Sequence, residues 1–373
     1  MSEPVDPEGW DRLLLDLSSK CTEPICKAYG LLRYRLFAPF EPGKFDLCTS
    51  KIKEIAYRVW IVIGATFAAI TLVIPAAIIL LAIVGKVLRG VGFALQKHNY
   101  THVRGTAPET IVKGALKVAT WNVCGVSGGM HYDHGGVVHW RQRLDGILEK
   151  IRSVDADVLV LQEIYDTALA EALIKHLSSE YAHFFTHLGA NVWGSVGGCM
   201  VITKCAVHRF TNSSFSSNKW TLNRTFANLE VYANPQDKVP CARIIGTHLI
   251  HDNNEHRKQQ MGEIVQSIKK SSKLPTLLMG DLNLERDDPE QGGILNPHFV
   301  HGYQGKEPTR TQKLLKQWNK DLSDPGDFID YISIYGRNEE NRLTDVKMSC
   351  AYEGLNTRTA TSDHSLLSGS LKV

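Results

Sequence analysis

Residues 156–163 read Ala-Asp-Val-Leu-Val-Leu-Gln-Glu, a short apolar run that ends in a carboxamide and a carboxylate. Residues 117–122, Lys-Val-Ala-Thr-Trp-Asn, have the same form and also end in a polar residue. Between them, residues 139–152 carry apolar side chains at the spacing of an amphipathic helix. The stretch therefore predicts a strand, a helix and a second buried strand, which is typical of an α/β protein.

Short polar clusters accompany several such runs through the last two thirds of the chain. They are Trp121-Asn122, Gln162-Glu163, Thr247-His248, Gly280-Asp281-Leu282-Asn283, Asp330-Tyr331 and Ser362-Asp363-His364. Most of them follow an apolar run with the pattern of a buried strand. Strands that end side by side would bring carboxylates, carboxamides and histidines to one rim. Metal-assisted hydrolysis of a phosphate ester requires such a rim.

One cluster alone would say little, because Asp and Asn readily bond to nearby backbone groups in ordinary turns. Six clusters in this order are much more specific. They resemble the endonuclease/exonuclease/phosphatase superfamily, the deoxyribonuclease I-like group, over residues 116–373. The resemblance implies an α/β fold, a four-layer sandwich of two mixed β-sheets flanked by helices.

The resemblance also implies a metal centre. Glu163 would be the main carboxylate ligand of Mg2+, with Mn2+ as an alternative ion, and Asn122 and Asp363 would support the metal side. Such oxygen ligands suit a hard cation better than thiolates do. No two of the eight cysteines have the two-residue spacing of a zinc site. Their scattered positions are typical of free thiols in a reducing compartment, although spacing alone does not exclude disulfides.

The same resemblance assigns the catalytic roles. His364 would be the general base that activates water, and Asp330 would orient it. Asp281 and Asn283 would grip the nucleophile and the scissile phosphate. His248 would stabilise the charged phosphate or assist the leaving oxygen. A histidine suits the first role because its ordinary pKa of about 6.5 lets it accept a proton near neutral pH.

The first third of the chain contains a long apolar segment. Residues 59–85 form a run of 27 residues without a charge, longer than the roughly 20 residues that span a bilayer. Pro75 near its middle leaves a single kinked span or a re-entrant hairpin, and a buried core helix is the alternative. Basic residues flank both ends, so no orientation is predicted. The expected layout is an N-terminal region, a membrane segment, a linker and a catalytic domain, at residues 1–58, 59–92, 93–115 and 116–373.

The substrate is predicted from two features together. Residues 162–166, Gln-Glu-Ile-Tyr-Asp, are similar to the corresponding string of membrane-bound neutral sphingomyelinases. A membrane segment on the N-terminal side of the catalytic domain is similar to the layout of the same branch. The resemblance implies a membrane-anchored Mg2+-dependent phosphodiesterase that releases phosphocholine from a membrane sphingolipid. Its catalytic domain would face a reducing, cytoplasmic-side compartment.

Three other functions stay open. A phosphoinositide phosphatase or a nuclease would use the same metal site, and a non-catalytic membrane scaffold would keep the fold for binding. The net charge of +3 and the absence of a dense basic stripe argue against nucleic acid as a partner. Two segments are candidates for specificity: the glycine-rich residues 127–139, interpreted as a lid, and the long polar stretch 285–312.

Overall fold

The protein is described by a computed structural model, and most of the chain is placed in it. The structure describes residues 10–37, 47–70, 73–96, 98–126, 136–189, 196–217, 223–270, 274–295, 297–311, 326–336, 342–352 and 360–373. Within these residues, two β-sheets lie face to face with helices on their outer surfaces. The predicted α/β sandwich is therefore confirmed.

The first sheet contains seven strands in the described part of the chain, in the order β1-β4-β5-β3-β2-β13-β12. They are β1 (Thr101–Arg104), β2 (Ala115–Asn122), β3 (Val158–Gln162), β4 (His183–Thr186), β5 (Met200–Thr203), β12 (Leu343–Ser349) and β13 (Leu366–Lys372). Only β2 and β3 run parallel. Helix α4 (Trp140–Val154) connects them, as the sequence predicts.

The second sheet contains six described strands, in the order β10-β11-β9-β8-β7-β6. They are β6 (Ala206–Ser214), β7 (Thr225–Tyr232), β8 (Ala242–His248), β9 (Thr276–Asp281), β10 (Phe299–His301) and β11 (Asp330–Tyr335). Strands β8 and β9 are parallel and are connected by α6 (Asn254–Lys269). Each sheet thus has one parallel pair among antiparallel ones, which makes both sheets mixed.

Alternation along the strands separates three apolar layers. Val160 of β3 packs between the two sheets, whereas its neighbour Leu161 packs outward with α4 and α5 (Thr167–Leu177). In β9, Leu277 points between the sheets and Leu278 packs outward with α6. Successive strand residues face opposite sides of a sheet, so the central residues of both strands are apolar and both strands are buried on both faces. This arrangement gives the four layers helix, sheet, sheet and helix.

Three helices precede the sandwich: α1 (Trp10–Phe37), α2 (Leu47–Ile70) and α3 (Val73–Leu95). The predicted membrane segment, residues 59–92, lies within α2 and α3, and residues 71–72 between these helices lie outside the described residues. Pro75 lies in the first turn of α3, where a missing backbone N–H is tolerated. In the described part of the chain, residues Ala76–Leu95 are long and apolar enough to cross a membrane by length and composition alone.

The N-terminal helices contact the sandwich directly. Helix α1 packs along α3 and touches α5, where Arg12 forms an ion pair of 2.8 Å with Glu171. Leu15 of α1, Phe93 of α3 and Val196 form a small buried cluster. Helices α1 and α3 are therefore held against the sandwich by both charge and apolar packing.

Residues 93–115, which were expected to form a linker, include regular elements in the structure. Its first residues complete α3, and Thr101–Arg104 form β1, the edge strand of the first sheet, which pairs with β4. Thr101 and Val103 are buried and alternate with more exposed neighbours, as in a half-buried strand. Gly105, Pro108 and Gly114, residues that interrupt regular structure, all follow this strand. The domain therefore begins before residue 116.

Candidate functional site

The parallel strand pairs bring polar residues of both sheets to one rim. Asn122 at the end of β2 lies opposite Gln162 at the end of β3, and Glu163 follows at once. In the second sheet, His248 at the end of β8 lies opposite Asp281 at the end of β9. Parallel neighbours end at the same edge of a sheet, so these side chains gather where the sequence predicts.

Two further residues reach the rim from strands that begin there. Strand β11 is antiparallel to β9, so its first residue, Asp330, lies opposite Asp281. Strand β13 is antiparallel to β2 and starts just after His364. The Trp121 Nε1–H group donates to the His364 carbonyl at 2.8 Å and holds the backbone in place just before β13. Antiparallel pairing therefore completes the rim.

Gly280 allows the close approach that positions Asp281. Its φ is +144°, and a Cβ at this position would lie 1.9 Å from the Thr247 carbonyl oxygen. Only glycine fits so close to the neighbouring backbone. The result is that Asp281 Oδ2 lies 3.4 Å from His248 Nε2.

His364 and Asp330 form a buried hydrogen-bonded pair. His364 Nδ1 lies 2.8 Å from Asp330 Oδ2, and its Nε2 lies 3.9 Å from both Asp281 Oδ2 and Asp363 Oδ2. Burial lowers the pKa of His364, but Asp330 and Asp363 raise it more, to about 10. The imidazole thus has one nitrogen fixed by a carboxylate and the other directed at the carboxylate cluster.

Asn122 connects two carboxylates at the centre of the rim. Its Nδ2 group donates to Glu163 Oε1 and to Asp281 Oδ2, each at 3.0 Å. Its Oδ1 accepts the Cys124 N–H at 3.0 Å. In this arrangement the Asn122 amino group faces the two carboxylates and orients them. Its amide oxygen faces the Cys124 backbone.

The geometry fits a divalent cation. One ligand atom from each of Glu163, His248 and Asp281 lies within 4.8 Å of the others, and Asp281, Asp330 and His364 form a second such group. Burial, followed by the charge of Asp330, raises the pKa of Asp281 to about 6. Crowded buried carboxylates raise each other's pKa in this way unless a cation neutralises them. The oxygen-rich donor set suits a hard ion.

Two predicted residues lie further from this group. The Asp363 carboxylate, expected on the metal side, faces His364 Nε2 and lies 3.8 Å from Arg310 Nε. Asn283 donates its side-chain N–H to the Leu249 carbonyl and its backbone N–H to Asp281 Oδ1, both at 3.0 Å. All eight predicted side chains nevertheless share this rim.

Sequence reasoning missed a strap of three residues, Thr309–Thr311, that holds the rim. The hydroxyl of its first threonine accepts the backbone N–H of Asp330 at 3.1 Å, and its carbonyl accepts the N–H of Ser365 at 2.7 Å. The N–H of its last threonine donates to the Asp363 carbonyl at 2.9 Å. The strap therefore fixes Asp330 and the segment around His364 relative to each other.

Sequence reasoning also missed Arg143 of α4, which is 3% exposed. Its guanidinium donates to the carbonyls of Val138 at 2.7 Å, Val123 at 2.9 Å and Cys124 at 2.8 Å, and also to that of Thr361. These carbonyls belong to two connections that border the rim, β2–α4 and β12–β13. An arginine on a predicted helix usually faces solvent, so no sequence signal distinguished this one.

The string at residues 162–166 has mostly structural roles. The Gln162 side chain donates to Thr120 Oγ1 at 2.9 Å. Asp166 caps the N-terminus of α5 by accepting the Ala168 N–H at 3.0 Å, and it also accepts the Trp140 indole N–H at 2.8 Å. Apart from Glu163, the string therefore builds the scaffold and does not reach the centre of the rim.

The two segments predicted to set specificity have different outcomes. Of the glycine-rich stretch, residues 127–135 lie outside the described residues, and His139 at its end caps α4 by accepting the Arg141 N–H. The stretch 285–312 contains α7 (Pro289–Leu295), β10 and the strap. It is thus largely ordered structure that supports the rim.

Known proteins share this fold. SmcL is 22% identical over 69% of this chain and 99% of its own, with a TM-score of 0.55. Sphingomyelinase C from Streptomyces griseocarneus is 18% identical over 70% of this chain and 100% of its own, with a TM-score of 0.52. Truncated TDP2 from Caenorhabditis elegans is 18% identical over 69% of this chain and 98% of its own, with a TM-score of 0.51.

At these identities the likeness shows the fold alone. A search of curated proteins found no match. The sequence matches the model of the Endonuclease/Exonuclease/phosphatase family over residues 119–364, which is more than half of the chain and includes the rim from Asn122 to His364. The chain therefore belongs to the endonuclease/exonuclease/phosphatase family.

Proposed function

We propose that the protein is a membrane-anchored, Mg2+-dependent phosphodiesterase that cleaves a sphingomyelin-type lipid and releases phosphocholine. The observation that carries the hydrolytic part is the 2.8 Å His364–Asp330 bond beside the paired carboxylates of Glu163 and Asp281. This rim has the parts that hydrolysis by water needs: a base with a fixed tautomer and an oxygen-rich place for a cation.

The reaction begins with the attack of a water molecule on the phosphate. His364 Nε2 accepts the proton of this water while Nδ1–H remains bonded to Asp330, which stabilises the imidazolium. His248 and Asn283, on the Asp281 side of the rim, bind the phosphate and the leaving oxygen. The P–O bond to the lipid breaks as the water oxygen bonds to phosphorus, and the leaving oxygen takes a proton from His248 or from solvent. The products are a phosphorylated headgroup and a lipid alcohol, so no inorganic phosphate is released.

A cation bound at the carboxylates would change the protonation of the base. Mg2+ held by Glu163 and Asp281 would supply positive charge to the phosphate oxygens and to the attacking water. With a pKa of about 10, His364 keeps its proton at neutral pH when only carboxylates surround it. Positive charge among these carboxylates opposes that protonation and makes the imidazole available as a base.

The substrate class is supported by two features. Residues Ala76–Leu95 are apolar and long enough to span a bilayer, and the helix that contains them packs with α1 next to the catalytic domain. Residues 162–166 resemble the neutral sphingomyelinase string, although most of its side chains are structural. An anchored site meets membrane lipids at high local concentration. We propose that the catalytic domain lies on the reducing, cytoplasmic side, and the free thiols of the described cysteines support this proposal.

A substrate panel tests this proposal. The full chain in detergent is assayed with sphingomyelin, phosphoinositides and DNA, with Mg2+, with Mn2+ and with a chelator. We expect phosphocholine from sphingomyelin, loss of release on chelation and recovery with Mg2+. Free phosphate from phosphoinositides with intact sphingomyelin would identify a phosphatase, and cleaved DNA a nuclease. No turnover of any substrate would favour the scaffold.

A further inference from the structure

Arg310 is the middle residue of the strap, and its backbone is fixed to the catalytic pair. It forms a backbone bridge with His364 and another with Asp327. The strap residues on either side bond to Asp330 and Asp363 as described above. Arg310 therefore has a defined place beside the general base, although nothing in the family resemblance assigns it a role.

The Arg310 guanidinium lies between the carboxylates and solvent. Its Nη1 is 2.9 Å from Asp327 Oδ2, and its Nε is 3.8 Å from Asp363 Oδ2. Burial lowers its pKa, but Asp363 and Asp327, then Asp281 and Glu163, raise it further. The Arg310 side chain is 25% exposed, compared with 5% for Asp363. It is thus a permanent cation at the outer edge of a buried anionic centre.

Most donors of this guanidinium are available. Arginine has five N–H donors, and within the described residues one hydrogen bond uses them, from Nη1 to Asp327. The 3.8 Å separation from Asp363 is too long for a hydrogen bond. A planar fork of remaining N–H groups matches two oxygens of a phosphate.

We propose that Arg310 binds a non-bridging phosphate oxygen of the substrate, with Asp327 holding the guanidinium in place. This inference rests on the proposed function, because it assumes that the phosphate is bound beside His364. It adds a recognition element that is directed at the negative charge of a phosphodiester and is not itself a metal ligand. Arg310 is therefore a substrate-binding residue, and Asp327 is a positioning residue.

The test measures phosphate affinity directly. The full chain in detergent with Mg2+ is titrated calorimetrically with inorganic phosphate, for the wild type, R310Q, R310K and R152Q. Arg152 is the matched control because it also forms an ion pair, at 2.8 Å with Glu180, on the far end of α4. We expect R310Q to weaken phosphate binding by roughly 10- to 100-fold, since bonds to charged groups contribute most. R310K should weaken it less, and R152Q should leave it unchanged.

Two further measurements make the result decisive. Thermal unfolding of each variant shows whether the fold is kept, and if R310Q fails to fold, R310K is compared with the wild type instead. Wild-type phosphate affinity in a folded Arg310 variant would overturn the proposal. With an active substrate, KM should rise more than kcat falls. Loss of phosphate affinity in R310Q without any sphingomyelin turnover would reject the sphingolipid substrate and keep the role of Arg310.

Discussion

At the scale of single residues, His364 carries the largest part of the proposed chemistry. Replacing His364 with Ala should reduce turnover by about 10²- to 10⁴-fold, because a positioned base contributes this much. The measurement is the initial rate of phosphocholine release at saturating Mg2+. His176→Ala, an exposed histidine of α5, is the control and should keep wild-type activity. More than half of the wild-type rate in the His364 variant would show that another group is the base.

Asp330→Asn should have a smaller effect on rate and a distinct effect on pH dependence. The Asp330 charge is among the causes that raise the pKa of His364. Since the base must be neutral to accept a proton, removal of this charge should move the acidic limb of the pH–rate profile to lower pH. Asp345→Asn, on an exposed position of β12, should not move it. An unshifted acidic limb would mean that the limb reports a different group.

Arg143 should contribute to the stability of the fold around the rim. Lysine keeps the positive charge but cannot donate to all four carbonyls of the β2–α4 and β12–β13 connections, so R143K leaves buried acceptors without donors. Each such group costs about 1–3 kcal/mol, and we expect the free energy of unfolding to fall by at least about 2 kcal/mol. Chemical denaturation measures this change. R152K is the surface control, and equal effects of the two substitutions would argue against a special role for Arg143.

At the scale of elements, the N-terminal helices allow a test of whether the chain is anchored in a membrane or not. If α3 is embedded in a bilayer, the full chain should stay in the membrane fraction through alkaline carbonate extraction. A charge near its middle, Ile83→Arg, should weaken insertion by roughly 2.5–3.5 kcal/mol and release part of the protein. Ile111→Arg, at a position that is 56% exposed outside this helix, is the control. Recovery of the unaltered chain in the soluble fraction would contradict the membrane anchor.

Regular elements were predictable from the sequence to the extent that their side chains repeat. Strands β2, β3, β8 and β9 are buried on both faces, so their apolar runs stood out, and the polar residues at their ends marked the rim. Strand β1 has only four residues, and one is a histidine and another an arginine. The glycine and proline residues that follow it therefore led to the prediction of a linker. The strap has no repeat at all. Its role depends on long-range backbone bonds to residues 327–330 and 363–365, which no local pattern reveals.

At the scale of the whole molecule, the proximity of the site residues depends on strand direction. The sequence shows that Asn122, Glu163, His248 and Asp281 follow strands, and parallel pairing brings their ends together. Asp330 and His364 come before strands, so they reach the same rim only because β11 and β13 run in the opposite direction. That direction was available from the family resemblance and not from the residues themselves. Arg143 and Arg310 were missed because charged residues normally indicate solvent exposure.

The short connection between α3 and β1 has a consequence for where the enzyme can work. Helix α3 ends at Leu95 and the first sheet begins at Thr101. Even a fully extended chain between these two residues would be at most about 20 Å long. Phe93 is also buried against Leu15 and Val196, so the domain cannot swing freely on this connection. If α3 is anchored in a bilayer, the enzyme is confined to the lipids of that same bilayer. Its rate would then follow the fraction of substrate among the lipids of that bilayer and not the bulk concentration. Substrate lipids in a neighbouring vesicle would not be hydrolysed.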